Sequence, residues 1–181
     1  MLQYGHTHMN CFIIAALSAD GYIAKNPTAP STVWTSKEDK KRFVELTKKA
    51  GVVVMGQNTW NTLGGKALKD RLNIVYSPTP LPATERLEVT EKSPADLLKD
   101  LESRGHKEVA ICGGSQIYTM FMKSGLVTKL FLTIEPVIFG SGIRLFKEDM
   151  DFKLKLVESI KTENGTLLQE YVVLATISDN Q

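Results

Sequence analysis

Apolar residues in this chain fall into short blocks separated by glycine, proline and polar clusters, and the period inside each block tells strand from helix. Asn10 to Leu17 (NCFIIAAL) is a continuous apolar run closed by Ser-Ala-Asp-Gly, the pattern of a strand buried on both faces. From Ser36 the period changes: SKEDKKRFVELTKKA opens on a capping serine, has Asp39 three residues on, and spaces Phe43, Leu46 and Ala50 at helical intervals before Gly51. The VVVM run that follows is β-branched and too short for a helix, and Gly56 then leads into a polar segment that can start another helix. Asn73 to Tyr76 (NIVY) predicts a third strand, ended by SPTPLP, whose prolines forbid a ladder there. Ser93 to Gly105 reads as a helix with a Ser-Pro start, Glu108 to Cys112 as a buried strand, Ser115 to Lys123 as a helix and Lys129 to Pro136 as a strand. Near the end, FKLKLVESIKT and TLLQEYVVLAT flank Glu163-Asn164-Gly165, an Asn-Gly hairpin signal. Strands alternating with helices predict a single-domain α/β fold with a mostly parallel central sheet, flanking helices and a C-terminal antiparallel hairpin. Residues 10–181 read as that domain, and the polar opening, residues 1–9, as an extension or added remnant without structure.

Composition narrows the partners. With 43% of 181 residues apolar, the chain can bury a core without disulfides or metal. Its 22 Lys and Arg against 20 Asp and Glu are scattered and leave a formal charge of +2, which is no footprint for nucleic acid or a membrane surface. Cys11 and Cys112 sit inside apolar runs, as buried thiols of a reducing cytosol do. No apolar stretch approaches the roughly 20 residues of a membrane span, and no basic region precedes a long apolar segment. The expectation is a soluble cytoplasmic protein acting on a small molecule, its oligomeric state open. His6 and His8 read as solvent-facing side chains, and no metal site is expected.

Candidate chemistry lies at the strand exits. Gly113-Gly114 separates the EVAIC strand from a helix, where missing side chains let a phosphate approach backbone N–H groups at the positive helix end; a glycine that only turns the chain is the alternative. Gly56, before Gln57-Asn58-Thr59-Trp60, makes a second such junction. The spaced glycines of the Rossmann fingerprint are absent after the first strand, so a different nucleotide fold is required. Asp39 is the carboxylate that stands out, on the helix face of Phe43 and Leu46, although spacing alone favours a first-turn acid complementing the helix dipole. Trp34 reads as a packing aromatic, and Glu38 and Lys40 as solvent-facing neighbours.

Taken in order, IIAALSADGYIA, Trp34 five residues ahead of Asp39, Phe43, VVVMGQNTW, LKDRLNIVYS, ICGGSQIY and LFLT resemble the dihydrofolate reductase family, from Phe12 to Thr133 in register. The resemblance implies reduction of 7,8-dihydrofolate by NADPH. It places Asp39 as the acid that binds the pterin 2-amino group and N3 and promotes protonation at N5, Thr133 as its hydrogen-bond partner and Trp34 as the holder of an active-site water. It puts Ala16, Phe43, Leu68 and Tyr118 about the pterin and aminobenzoyl region, and Arg71 on the α-carboxylate of the glutamate tail, which suits a bidentate guanidinium. Around the dinucleotide it implies Ala16, Ile23, Gly56, Gln57, Asn58, Thr59, Tyr76, Ser77, Cys112, Gly113, Gly114, Ser115, Gln116, Ile117 and Tyr118.

Three departures qualify the likeness. Gln57 and Asn58 stand where the family often has a basic residue for the 2′-phosphate, which predicts only modest preference for NADPH over NADH. Lys40 replaces a usually apolar neighbour of the acid, which predicts a more polar aminobenzoyl side. EPVIFGSGIRLF and Cys112 before the glycine pair are similar to the ribosylaminopyrimidine reductase of riboflavin synthesis, the alternative reading; a non-catalytic nucleotide-binding module is a third.

Overall fold

A computed structural model describes residues 9–82 and 84–176. Its framework is an eight-stranded sheet in the order β5-β4-β3-β6-β1-β7-β10-β9. Six strands run parallel: β1 (Asn10–Ser18), β3 (Val52–Gly56), β4 (Leu72–Tyr76), β5 (Leu87–Thr90), β6 (Glu108–Ile111) and β7 (Lys129–Glu135). β10 (Leu167–Thr176) then pairs antiparallel with β7, and β9 (Phe152–Lys161) closes the edge antiparallel to β10. This is the expected α/β architecture, with the hairpin on the expected strands.

Alternation along the parallel strands sends two sets of side chains to opposite faces. Cys11, Ile13, Ala15, Val52, Val54 and Ile111 meet α3 (Pro94–Ser103) and α4 (Ser115–Lys123), whereas Phe12, Ile14, Val53, Met55 and Phe131 meet α1 (Lys37–Ala50) and α2 (Gln57–Thr62). Both faces are therefore buried, which is why these strands read as unbroken apolar runs. Helix α1 starts where the Ser36 hydroxyl accepts the Asp39 N–H at 3.1 Å and stops at Gly51, whose φ of +73° is left-handed.

Several elements were not legible. β5, the two-stranded sheet of β2 (Tyr22–Ala24) with β8 (Ile143–Arg144), and a 3₁₀ turn over Ser31–Val33 carry too few residues for a period. β7 ends at Glu135, one residue short of the expected Pro136, which has no N–H to offer a ladder. The Asn-Gly signal sits in a longer connection, residues 162–166, closed by the Gly165 N–H on the Thr162 carbonyl at 3.1 Å. Met9, read with the leading extension, is buried in the core, while residues 1–8, His6 and His8 among them, lie outside the described residues.

Candidate active site

A cavity of about 880 Å³ opens over the carboxyl ends of β1, β3, β4, β5 and β6, the usual place for a ligand in an open parallel sheet. Every residue that the sequence set around a dinucleotide borders it: Ala16 and Ile23, the run from Gly56 to Thr59, Tyr76 and Ser77, and the run from Cys112 to Tyr118. The walls also take in Asn26, Pro27 and Ser31 from the segment after β2, Thr90 at the end of β5 and Glu91 after it, and Met120, Ile143 and Lys147. Lys147 and Glu91 are the two charged residues in that lining, and the sequence pointed to neither. Both come from stretches whose course over the cleft depends on where the sheet ends, not on a local pattern.

The glycine pair forms the floor. Gly113 has φ +121°, and a Cβ there would stand 3.2 Å from the Tyr118 hydroxyl and 3.3 Å from the Thr59 hydroxyl, so a side chain would fill the cradle. The Gly113 carbonyl accepts the Gly56 N–H at 2.7 Å, joining the two strand exits. At the start of α4 the Ser115 hydroxyl is buried and, among the described residues, has no hydrogen-bond partner, while its residue lines the cavity. An orphaned hydroxyl beside free N–H groups at a positive helix end suits the diphosphate of a dinucleotide. Near the end of β4, Gln57 donates to the Thr79 hydroxyl at 3.0 Å and Ser77 donates to the Thr79 carbonyl at 2.6 Å, an uncharged cluster.

Asp39 lies outside this cavity but next to it. Ala16, in the cavity wall, is the parallel register partner of Thr133, and Thr133 hydrogen-bonds the Asp39 carboxylate. Burial is the main influence on Asp39 and raises its pKa above the ordinary aspartate value; the Thr133 and Thr35 hydrogen bonds and Arg42 oppose it, and Glu135 adds to it. Tyr118, buried between cavity and acid, donates to the Ile14 carbonyl at 2.7 Å, and burial pushes its pKa well up, so the phenol stays neutral. Cys112 is a free thiol, pushed up to about 12 by burial and hence unionised.

The remaining expected residues do not border the cavity. Trp34 packs edge-on against Phe139 at 5.0 Å, and its indole N–H is buried with no partner among the described residues. Phe43 and Leu68 both pack against the core face beneath α1. Arg71 is only 6% exposed, and its guanidinium donates to the Thr47 hydroxyl at 2.7 Å and the Lys69 carbonyl at 2.9 Å. Lys40 is exposed, so the polar departure on this helix falls instead on half-buried Arg42, which donates to the carbonyls of Leu132 and Gln169 at 3.2 and 2.9 Å. Asp39 is not the lone carboxylate here: Glu135, two residues beyond Thr133, is 3% exposed and faces the same helix. Its single-residue setting in LFLTIEP gave no sign of that role.

Among known proteins, the family model described as Dihydrofolate reductase matches residues 10–152. A bifunctional dihydrofolate reductase-thymidylate synthase from Paramecium tetraurelia is 25% identical over 160 residues, covering 88% of this chain and 33% of that protein. A dihydrofolate reductase from Ureaplasma parvum serovar 3 is 30% identical over 111 residues, 61% of this chain and 66% of the relative. The chain thus spans one third of the first relative and just under two thirds of the second. Among solved structures, a Shewanella sp. PV-4 protein with a proposed role in riboflavin biosynthesis superposes with TM-score 0.78 at 21% identity over 92% of this chain and 100% of that one. A dihydrofolate reductase from Enterococcus faecalis, complexed with NADP(H) and RAB-propyl, gives 0.71 at 22% identity over 93% and 98%. At those identities both likenesses show the fold.

Proposed function

The chain belongs to the dihydrofolate reductase family, and from that premise we propose that it reduces 7,8-dihydrofolate to 5,6,7,8-tetrahydrofolate with NADPH. The observation that supports this most is a half-buried acid, Asp39, held by Thr133 one strand away from a cavity of dinucleotide size. The Gly113-Gly114 cradle, the Ser115 hydroxyl and the N-terminus of α4 would hold the diphosphate, with Lys147 as the nearby cation and the Gln57 cluster toward the 2′-phosphate. Bound there, the dinucleotide supplies the hydride that C6 receives.

What the chain itself does is bind, orient and manage a proton. Asp39 takes two hydrogen bonds from the pterin 2-amino group and N3, while Thr133 and Thr35 fix its rotamer. Its negative charge favours a proton at N5, without which charge would accumulate on the ring as C6 accepts hydride. Tyr118, neutral and tied to β1, gives the pocket a fixed apolar wall rather than a second acid. Arg71 keeps guanidinium capacity beyond its two internal bonds and is the proposed partner of the glutamate α-carboxylate.

The segment EPVIFGSGIRLF and the likeness to the Shewanella structure favour one other substrate, the ribosylaminopyrimidine phosphate of riboflavin synthesis. NADPH oxidation measured with each substrate separates the two. A higher kcat/KM with dihydrofolate is expected; the reverse order moves the assignment to the pyrimidine, and binding of NADPH without turnover of either leaves a nucleotide-binding module.

A further inference from the structure

Strand β7 places Phe131, Thr133 and Glu135 on the face covered by α1. Both oxygens of the Glu135 carboxylate are engaged: Oε1 accepts the backbone N–H of Ser36 at 2.7 Å, and Oε2 accepts the Thr166 hydroxyl at 2.7 Å. Ser36 is the N-cap of α1, and its own hydroxyl accepts the Asp39 N–H at 3.1 Å. Two hydrogen bonds therefore connect Glu135 to the backbone of Asp39, and a third fastens both to the loop between β9 and β10. Among the described residues no ion pair neutralises Glu135. A buried carboxylate without a cation is costly, and a neutral amide could bond the same two partners, its oxygen accepting from Ser36 and its NH2 donating to the Thr166 hydroxyl, so hydrogen bonding alone does not account for the charge.

We propose that Glu135 is a positioning residue for Asp39: it pins the start of α1 to β7 and the hairpin loop, and confronts the Asp39 carboxylate with a second buried negative charge. The role deepens the reductase reading and rests on it for its purpose, since a second anion beside Asp39 adds to the negative field that favours a proton at the pterin N5. The pair does not act alone. Arg42 from α1 opposes the effect, Thr133 and Thr35 hydrogen-bond the acid, Tyr118 of α4 faces it from the cavity side, and Glu170 and Glu158 act on Arg42 from the hairpin. Of these charges, Glu135 is the one that both repels Asp39 and holds its helix.

The test is a carbon-13 titration of the Asp39 carboxyl by NMR in the free protein, with no substrate or cofactor, joined to hydrogen exchange at the Ser36 amide. In Glu135→Gln, whose amide oxygen still accepts from Ser36 while its NH2 donates to the Thr166 hydroxyl, the Asp39 midpoint should fall by about one pH unit while Ser36 exchange is unchanged. In Glu135→Ala the midpoint should fall and Ser36 should exchange about tenfold faster or more, the signature of a lost hydrogen bond of about 1.4 kcal/mol. A Gln variant whose Asp39 midpoint does not move overturns the electrostatic role, and an alanine variant with wild-type Ser36 exchange overturns the pin. Because neither readout needs turnover, inactivity toward dihydrofolate would defeat the substrate assignment and leave this result standing.

Discussion

At the scale of single residues, Asp39 carries opposite signs for activity and stability. Burial raises its pKa in the folded protein, so its contribution to stability is present at low pH and is lost as pH rises through the raised value. At neutral pH the ionised acid is therefore a net cost to the fold. Asp39→Asn should melt at a higher temperature than wild type at pH 7, with the gap closing as pH falls toward 3.8, the ordinary aspartate value. The same variant should lose about 10² to 10⁴ in hydride-transfer rate at neutral pH and regain part of it in acid, where solution supplies the N5 proton. Single-turnover NADPH oxidation across a pH series checks the rate, and calorimetry checks the sign of the stability change; near-wild-type turnover at pH 7 would reduce Asp39 to a helix-start acid. Lys147 sits at the cavity with its backbone N–H on the Thr119 hydroxyl at 2.9 Å, one turn along α4 from Ser115. Lys147→Ala should weaken NADPH and NADH alike by about two- to fivefold, as befits an exposed cation near a shared diphosphate. Fluorescence titrations with both dinucleotides decide this, and a loss confined to NADPH would move Lys147 to the 2′-phosphate.

The elements matter through how they end. Strand β3 ends at Gly56 and passes directly into α2, and β6 ends at Ile111 and reaches α4 through Cys112, Gly113 and Gly114, so the strand exits and the first N–H groups of α2 and α4 face the same space. The two glycines of the second junction are not equivalent. Gly113 has a positive φ and two hydroxyls within 3.3 Å of an added Cβ, whereas Gly114 has φ −82° and meets Thr59 only at ordinary contact, 3.4 Å. Gly113→Ala should cost about 1–3 kcal/mol of stability and weaken dinucleotide binding, with Gly114→Ala milder in stability. Urea melts and binding titrations of the two variants measure the difference; equal stability losses would show that the left-handed backbone at Gly113 is not what demands glycine. Helix α1 shows the same economy at the other site, since the serine that caps it also positions the acid three residues later.

Across the whole molecule, the site exists only because distant segments converge on one edge of the sheet. The cavity draws on the exits of five parallel strands, on the segment after β2 and on Lys147 between β8 and β9, while the acid sits between α1, β7 and the hairpin loop. A ligand that binds this convergent surface stabilises every element that contributes to it. NADPH at about a hundred times its Kd should add about 2.7 kcal/mol and raise the melting temperature by about 5–10 °C, the shift expected for a domain of this size. Differential scanning calorimetry with and without NADPH tests this, and an unchanged melting temperature would mean that the cavity does not hold the dinucleotide. The same frame is shared by a structure with a proposed role in riboflavin biosynthesis and by a dihydrofolate reductase, so the fold alone does not choose the substrate.

By itself the sequence determined the frame. Strands buried on both faces must be apolar at every position and helices that cover them must be apolar every three to four, so β1, β3, β6, α1, α3 and α4 were legible from local period and caps. The glycine junctions were legible for the same local reason, and the family motifs carried the residues around the cavity. Tertiary structure alone decided the rest. β2, β5 and β8 hold together by pairing with remote partners rather than by their own pattern. Lys147 reaches the cleft because the chain after β8 passes α4, and the polar change beside the acid is borne by Arg42, since Lys40 points to solvent. Glu135 reads as one polar residue in an apolar strand until register sets it opposite the Ser36 cap, 99 positions earlier in the chain. Local sequence fixes which backbone shapes are cheap, but a charge acquires its partners and its pKa only from whatever the fold brings beside it.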